Sequence, residues 1–282
     1  MIRIVTVLIS ILLTILGYIL LIPESIIFKI LLIICLFIGS FILQAILFFL
    51  IAFICSLFVS SKKEYNHYNK TYRKIFYLYT KYILSLFGVK IISKGLENIP
   101  KDTPFVLYFN HKSNLDTFVI DVCFKDYPLV FVGKKSLFKI PFFGKIITKL
   151  GYISLDRENL RSELKSILKG INYINDKECS VGISPEGTRN FTKRVLLDFK
   201  SGCFNLSTKT NTPMVIVVLK GTDKVKSNLL FKRHKVYLDV VKVINYDEYK
   251  GLKTNEISEM VEGIMYESLT NKKVSKEIKV DA

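Results

Sequence analysis

The stretch NHKSNLD, residues 110–116, places a histidine and an aspartate close together in the chain. Histidine titrates near neutral pH and is therefore the usual general base in enzymes. It works best when a carboxylate fixes its tautomer and stabilises the imidazolium that forms. If the chain turns near Ser113, Asp116 can reach His111, and the pair could activate a hydroxyl of the substrate. Alone, such a pair more often caps a helix than catalyses a reaction.

A second candidate stretch is SPEGTRN, residues 184–190, which follows an apolar run. Arg189 carries a planar guanidinium that can bind a phosphate through two hydrogen bonds. Gly187 allows the backbone to turn closely against a ligand. Taken alone, an ordinary turn with a surface arginine explains this stretch equally well.

A third stretch, GKKSLFKIPFFGK at residues 133–145, alternates lysines with large apolar residues. Two interpretations remain open: a loop that skims a membrane, or a loop that binds phosphate. It is not a Walker loop, because the G-x-x-x-x-G-K-[ST] spacing is absent. Arg157, at the end of GYISLDR, is a further candidate for positive charge at a site.

In combination, these stretches resemble the glycerolipid acyltransferases of the 1-acylglycerol-3-phosphate acyltransferase type. NHKSNLD is similar to the NHxxxxD block of that family, GYISLDR to its second block, SPEGTRN to its PEGTR block and TPMVIVV to its proline-headed fourth block. The blocks follow the family order over residues 110–218, and the resemblance covers roughly residues 85–245. Ser184, Asn190 and Ile216 replace a phenylalanine, a serine and a second proline of the family pattern, which leaves the acceptor and acyl-chain preference open.

The resemblance implies acyl transfer from a thioester to the sn-2 hydroxyl of 1-acylglycerol 3-phosphate, which makes phosphatidic acid. His111 would be the general base, and Asp116 would orient it and stabilise its charge. The implied substrate-binding residues are Lys134, Arg157, Glu186, Gly187, Thr188, Arg189 and Pro213. The cations Lys134, Arg157 and Arg189 would bind the phosphate. Pro213 would position the fourth block near the acyl donor. The chemistry requires no metal and no cofactor.

Several identities stay open at this stage. The acceptor could be lysophosphatidic acid, glycerol 3-phosphate, another lysophospholipid or a lyso-aminolipid. The donor could be acyl-CoA or acyl carrier protein, since both are acidic and the chain carries a net charge of +17. A non-catalytic lipid-binding protein of the membrane is a further alternative.

The remaining sequence predicts the elements that position these residues. Apolar runs at residues 104–109, 129–133, 151–156, 179–184 and 213–219 are typical of buried strands, and NLLF with KVYLDVVKVI indicates a late strand pair. Residues 158–175 and 254–270 have helical periodicity. Wholly apolar strands that alternate with helices predict an α/β fold with a mostly parallel central sheet flanked by helices, here the catalytic domain at residues 89–271.

The amino-terminal 60 residues are strongly apolar, and the mean hydropathy of the chain is +0.33. Uncharged runs at residues 4–22 and 30–60 are each long enough to cross a bilayer core of about 30 Å. We therefore expect a membrane-embedded helical hairpin, or one span with a re-entrant segment. A cleaved signal peptide fits less well, because no small-residue cleavage site follows. The basic residues that come next place the catalytic domain on the cytoplasmic face of the cell membrane; they are Lys62, Lys63, Lys70, Arg73 and Lys74.

Residues 61–88 carry an aromatic stripe at helical spacing with lysines between. This pattern favours an interfacial helix at an anionic membrane surface, although a core-packing helix with a basic outer face remains the alternative. Residues 272–282 form a charged tail.

Other function classes fit poorly. A serine hydrolase of the nucleophile-elbow type would need G-x-S-x-G, which the chain lacks. Three histidines in unrelated contexts and five scattered cysteines argue against a metal hydrolase or a disulfide framework. A nucleic-acid partner would account for the charge but not for the apolar runs.

Overall fold

The computed structural model describes residues 2–21, 25–60, 63–156, 160–225, 233–271 and 278–279. The chain divides into two compact units, Met1–Ser60 and Ser61–Ala282.

The first unit consists of two apolar helices, α1 (Ile2–Leu20) and α2 (Ile26–Leu57). Most of their large apolar side chains are exposed, and the side-chain amide of Gln44 in α2 donates a hydrogen bond to the hydroxyl of Ser10 in α1 at 2.8 Å. Within the described ranges, α2 alone is long and apolar enough to cross a membrane by length and composition, and α1 counts as a shorter apolar helix. These properties are compatible with membrane association, and the embedding of both helices stays a prediction.

The second unit contains the remaining helices and all described strands. Its helices are α3 (Lys70–Leu86), α4 (Asp116–Cys123), α5 (Phe143–Leu150), α6 (Leu160–Asn175), α7 (Asn205–Thr210), α8 (Tyr246–Tyr249) and α9 (Thr254–Thr270). Its strands are β1 (Val89–Lys94), β2 (Val106–Phe109), β3 (Leu129–Lys134), β4 (Ile153–Leu155), β5 (Ser180–Ile183), β6 (Met214–Lys220), β7 (His234–Ile244) and β8 (Ile278–Lys279).

The described strands form one sheet in the order β4-β3-β5-β2-β6-β7-β1-β8. The pairs from β4 to β6 are parallel, as is the pair of β7 with β1. Only the β6–β7 and β1–β8 pairs are antiparallel in this part of the chain. The predicted mostly parallel α/β fold is thereby confirmed.

The centre of the sheet is apolar on both faces, as expected for parallel strands covered by helices. All four residues of β2 and all four of β5 are buried. The predicted strands match β2 to β6 within two residues, and the two predicted helices match α6 and α9. KVYLDVVKVI forms most of β7, whereas NLLF lies outside the described residues. Strand β1 was not among the predicted elements.

Helix α3 departs from the predicted helix over residues 61–88. It begins only at Lys70, where the side chain of Asn69 accepts a hydrogen bond from the amide of Tyr72 at 3.0 Å. Its buried face contains Phe76, whose ring packs against aromatic rings of α4, α5 and the start of β4, with centroid distances of 5.5–6.0 Å. One face of α3 is therefore part of the core, which favours the core-packing alternative. A membrane contact of its other face stays a prediction.

Candidate active site

The candidate site lies at one edge of the sheet. Strands β2, β3, β4 and β5 run parallel, so their carboxyl ends meet at the same edge, which is where open α/β sheets bind their ligands. His111 follows the end of β2, Glu186 follows the end of β5, and Lys134 ends β3. Stretches that are far apart in the sequence are thereby assembled at one place.

Asn110 marks the point where β2 leaves the sheet. Its side-chain amide donates to the carbonyl oxygen of Leu219 at 3.0 Å, and its amide oxygen accepts from the backbone amide of the same leucine at 2.7 Å. The side chain is buried. This pair of hydrogen bonds fixes the backbone immediately before His111.

His111 and Asp116 form the predicted pair. The Nδ1 of His111 lies 2.8 Å from Oδ2 of Asp116. Oδ2 also accepts hydrogen bonds from the backbone amides of Lys112 and Ser113, at 2.8 and 2.7 Å. Asp116 is fully buried in the first turn of α4, where the helix dipole favours negative charge. The backbone amides of the turn thus hold the Asp116 carboxylate in place. The carboxylate in that position fixes the orientation of the imidazole.

The two side chains differ in their exposure to solvent. The side chain of His111 is 22% exposed, whereas that of Asp116 is inaccessible. A histidine whose Nδ1 hydrogen donates to a carboxylate presents Nε2 as its basic nitrogen. Nε2 of His111 can therefore accept a proton, and Asp116 can stabilise the resulting imidazolium through Nδ1.

Glu186, which is expected to shape the acceptor site, directs its carboxylate toward the main chain. One oxygen accepts from the backbone amide of His111 at 2.7 Å, and the other accepts from the amide of Leu197 at 2.9 Å. The residue is only 2% exposed. Burial raises the pKa of Glu186 above its ordinary value, and the two amide hydrogen bonds oppose that rise.

Asn190 strengthens the same connection. Its backbone amide donates to the carbonyl oxygen of His111 at 2.7 Å. Its side chain donates to the carbonyl oxygen of Arg194 at 3.0 Å, and Lys112 donates to that oxygen at 2.8 Å. The backbone of His111 is therefore held on both sides by the loop that follows β5.

Arg189 lies in the same loop, beside the His111 backbone contacts. Its guanidinium carbon lies 4.6 Å from the ring centroid of Phe191, a stacking geometry that limits how the guanidinium can turn. Gly187 has φ +68°, a left-handed conformation that favours glycine. Thr188, between them, is exposed.

Three further predicted site residues have different outcomes. Lys134 is exposed at the carboxyl end of β3, at the same edge as His111. Arg157 lies outside the described residues. Pro213 precedes the first residue of β6, which pairs with Val106 at the start of β2. It therefore lies at the opposite edge from His111, and the structure does not bring it to the site.

The described ranges contain no group of three or more His, Cys, Asp or Glu side chains that could hold a metal ion. All five cysteines are free thiols.

One ion pair near the site was not predicted. Arg73 was grouped with the surface cations, yet it is only 4% exposed and pairs with Asp121 of α4. Its Nη2 also donates to the carbonyl oxygens of Asp121 and Phe124, at 3.1 and 3.2 Å, and Thr80 donates to the Asp121 carboxylate at 2.8 Å. Burial raises the pKa of Asp121 to about 6. Arg73 thus fixes the carboxyl end of the helix whose amino end carries Asp116.

Comparison with known proteins identifies the family. Residues 90–220 match the family model described as Acyltransferase. The 1-acyl-sn-glycerol-3-phosphate acyltransferase of Borreliella burgdorferi is 33% identical over 172 residues, which cover 59% of this chain and 68% of that protein. The chain belongs to the 1-acyl-sn-glycerol-3-phosphate acyltransferase family. This is a family of O-acyltransferases of phospholipid biosynthesis.

A further relative carries the same name, and one solved structure has a similar fold. The enzyme of the same name from Saccharomyces cerevisiae is 31% identical over 199 residues, and these cover 70% of this chain but 64% of the yeast protein. The crystal structure of the 1-acyl-sn-glycerophosphate (LPA) acyltransferase, PlsC, from Thermotoga maritima matches with a TM-score of 0.61 at 23% identity. That match covers 80% of this chain and 89% of the other, and it supports the fold.

Proposed function

We propose that this acyltransferase transfers a fatty acyl group from a thioester to the sn-2 hydroxyl of 1-acylglycerol 3-phosphate, with His111 as the general base. The observation that carries the proposal is the hydrogen bond of 2.8 Å between His111 and a fully buried Asp116. A carboxylate in that position orients the imidazole and stabilises its charged form.

The reaction follows from this geometry. Nε2 of His111 takes the proton of the acceptor hydroxyl as its oxygen attacks the thioester carbonyl carbon. The new C–O bond forms, the C–S bond breaks, and the thiolate leaves and recovers the proton from the imidazolium. The acyl group passes directly between the substrates, so no acyl-enzyme forms.

The acceptor is inferred from charge and from the relatives. Arg189 and Lys134 lie in segments that leave the same sheet edge as His111, and their cations suit a phosphate. Arg157 is proposed as a third cation on the basis of its position in the sequence block. Relatives from three organisms carry the name 1-acyl-sn-glycerol-3-phosphate acyltransferase, which favours lysophosphatidic acid over the other acceptors.

The donor and the location are proposed on more general grounds. Acyl-CoA and acyl carrier protein are both acidic, and all but one of the seventeen net positive charges fall after residue 60. The same charge suits an anionic membrane surface. Basic residues directly after the apolar helices favour a catalytic unit on the cytoplasmic face of the cell membrane.

The decisive experiment measures acyl transfer by the purified protein in mixed micelles. Lysophosphatidic acid is offered with acyl-CoA and, separately, with acyl carrier protein, and the wild type is compared with His111→Ala. His67→Ala is the matched control, because the His67 side chain is 84% exposed and pairs with Glu178. We expect phosphatidic acid from the wild type and the control but none from His111→Ala. Full activity of His111→Ala would refute the base assignment, and absence of product from the wild type with either donor would contradict lysophosphatidic acid as the acceptor.

A further inference from the structure

Two loops at the candidate site expose large apolar side chains. Ile140 and Phe142, between β3 and α5, are 44% and 40% exposed. Phe191, in the loop after β5, is 76% exposed. Strands β3 and β5 adjoin in parallel, so both loops leave the sheet at the edge from which β2 delivers His111. We call these three side chains the apolar rim.

The first loop has a fixed shape. A Cβ at Gly144 would lie 2.2 Å from the carbonyl oxygen of Phe138, so the turn between them accepts only glycine. Phe142 has φ +61°, a conformation that non-glycine residues rarely adopt and that tends to occur at functional sites. This backbone conformation holds a phenyl ring partly in water, which favours contact of the ring with an apolar phase.

The neighbour of Phe142 shows how the loop is anchored. Phe143 packs inward, with its ring centroid 6.3 Å from that of Phe118 and 5.9 Å from that of Phe76. Phe118 lies in the first turn of α4, two residues after Asp116. The loop is therefore fixed beside the helix that begins at Asp116, and the exposed residues are held at that edge.

Cations accompany the apolar rim. Residues 133–145 contain lysines and no acidic residue, and Lys134 and Lys139 are exposed. In the second loop, Lys193 is exposed next to Phe191, and Arg194 pairs with Asp198. Apolar side chains among cations match the boundary between the acyl chains and the anionic headgroups of a bilayer.

We infer that the apolar rim inserts into an anionic bilayer to the depth of the upper acyl chains, with the neighbouring lysines at the lipid phosphates. The inference rests on the proposed function, because it explains how an amphiphilic acceptor reaches His111. The acceptor would pass from the membrane to the sheet edge with its acyl chain always in apolar surroundings.

The chain contains no tryptophan, which allows a direct test in the full-length protein. Phe142→Trp and Phe191→Trp each introduce a single fluorescent reporter. Each variant is reconstituted into vesicles that contain an anionic phospholipid and lipids with brominated acyl chains. We expect a blue-shifted emission that the bromines quench strongly, because both indole rings lie at the depth of the upper acyl chains.

Leu252→Trp is the matched control, since Leu252 is 38% exposed, close to the value for Phe142. It follows the end of β7 at Ile244, which pairs with Met214 at the opposite edge of the sheet. We expect its emission to be insensitive to brominated lipid. Quenching should also weaken at both rim positions when the anionic lipid is replaced by a zwitterionic one.

Reporters at positions 142 and 191 that bromine does not quench in vesicle-bound protein would overturn the inference. Equal quenching in anionic and zwitterionic vesicles would remove the role of the lysines. An emission change only on addition of acyl carrier protein would assign the rim to the donor. Phosphatidic acid formation is assayed on the same preparations: active but unquenched protein contradicts the rim alone, whereas an inactive wild type contradicts the proposed function.

Discussion

The carboxylate of Glu186 accepts a hydrogen bond from the backbone amide of His111 at 2.7 Å. The stretches NHKSNLD and SPEGTRN are thus joined by a hydrogen bond between a buried side chain and the main chain. The imidazole of His111 is held by Asp116, while its backbone is held by Glu186 and Asn190. Glu186 therefore contacts the backbone of His111 and not its imidazole.

Glu186→Gln should lower kcat while leaving the KM for both substrates nearly unchanged. Glutamine has one acceptor oxygen in place of two, so either His111 or Leu197 would face an NH₂ group with its own amide hydrogen. A misplaced base costs about 10²-fold in rate. Steady-state kinetics of Glu186→Gln measure the effect. Glu259→Gln, which changes an exposed carboxylate on α9, is the control. A raised KM with an intact kcat would mean that Glu186 contacts the acceptor.

Glu186 also predicts a pH dependence of stability. Burial raises the pKa of Glu186 above its ordinary value of 4.5, so the folded chain binds more protons than the unfolded chain between the two pKa values. The associated stability is fully present below the ordinary pKa and is lost as pH rises through the folded pKa. The stability of the wild type relative to Glu186→Gln should therefore fall as pH rises above about 4.5. Denaturant unfolding of both proteins in detergent measures this difference, and a rise with pH would contradict it.

Asp116→Asn should abolish most activity without unfolding the chain. The asparagine oxygen can still accept from the amides of Lys112 and Ser113, but the neutral side chain cannot stabilise an imidazolium. The loss of kcat should be on the order of 10⁴-fold, as for an aspartate that orients a catalytic histidine. Asp126→Asn, an exposed residue beyond the end of α4, is the control. Activity within tenfold of the wild type would show that the carboxylate is dispensable.

Arg189→Ala should raise the KM for lysophosphatidic acid more than it lowers kcat. The variant loses charged hydrogen bonds to the phosphate, worth about 1.5–3 kcal/mol, or roughly tenfold to a hundredfold in kcat/KM. Lys209→Ala removes an exposed cation near the end of α7 and is the control for net charge. Unchanged kinetics of Arg189→Ala would mean that the phosphate binds elsewhere.

Arg73→Met should destabilise the second unit by about 3–5 kcal/mol, because it leaves the buried Asp121 carboxylate without its cation. The double variant Arg73→Met/Asp121→Leu should recover much of the loss, since both charges are then gone. Lys74→Met, an exposed neighbour on α3, should change little. Chemical unfolding in detergent gives the free energy of unfolding of the three variants. An Arg73→Met variant as stable as the wild type would refute the coupling between α3 and α4.

The parallel centre of the sheet was predictable because β2, β5 and β6 are short, almost purely apolar runs. Strand β1 was not predicted because VKIISK carries a lysine near each end and follows a helix directly. The start of α3 was placed too early because the aromatic spacing continues through Tyr65 and Tyr68, which precede the helix. Asn69 was the available signal, since asparagine favours the N-cap position.

Individual site residues were less predictable than the fold, because a side chain's direction depends on tertiary contacts. The spacing of His111 and Asp116 was sufficient, since the pair closes a local turn. For Glu186, the residue type indicated a site, but only the structure shows which amides the carboxylate meets. Pro213 directly precedes β6, which runs parallel to β2, and that direction alone would have placed it away from the carboxyl edge.

The double hydrogen bond between Asn110 and Leu219 has a consequence for what position 110 can tolerate. A carboxamide offers the same donor and acceptor as a peptide group. The Asn110 side chain therefore hydrogen-bonds to β6 as the backbone of one more β2 residue would. The main chain is thereby released from the sheet one residue before the pairing ends, and His111 can turn away from it. An aspartate of nearly the same shape could not donate to the Leu219 carbonyl and would bury a charge, while a serine would be too short to reach both groups. The position of His111 thus depends on the side-chain amide of the residue before it.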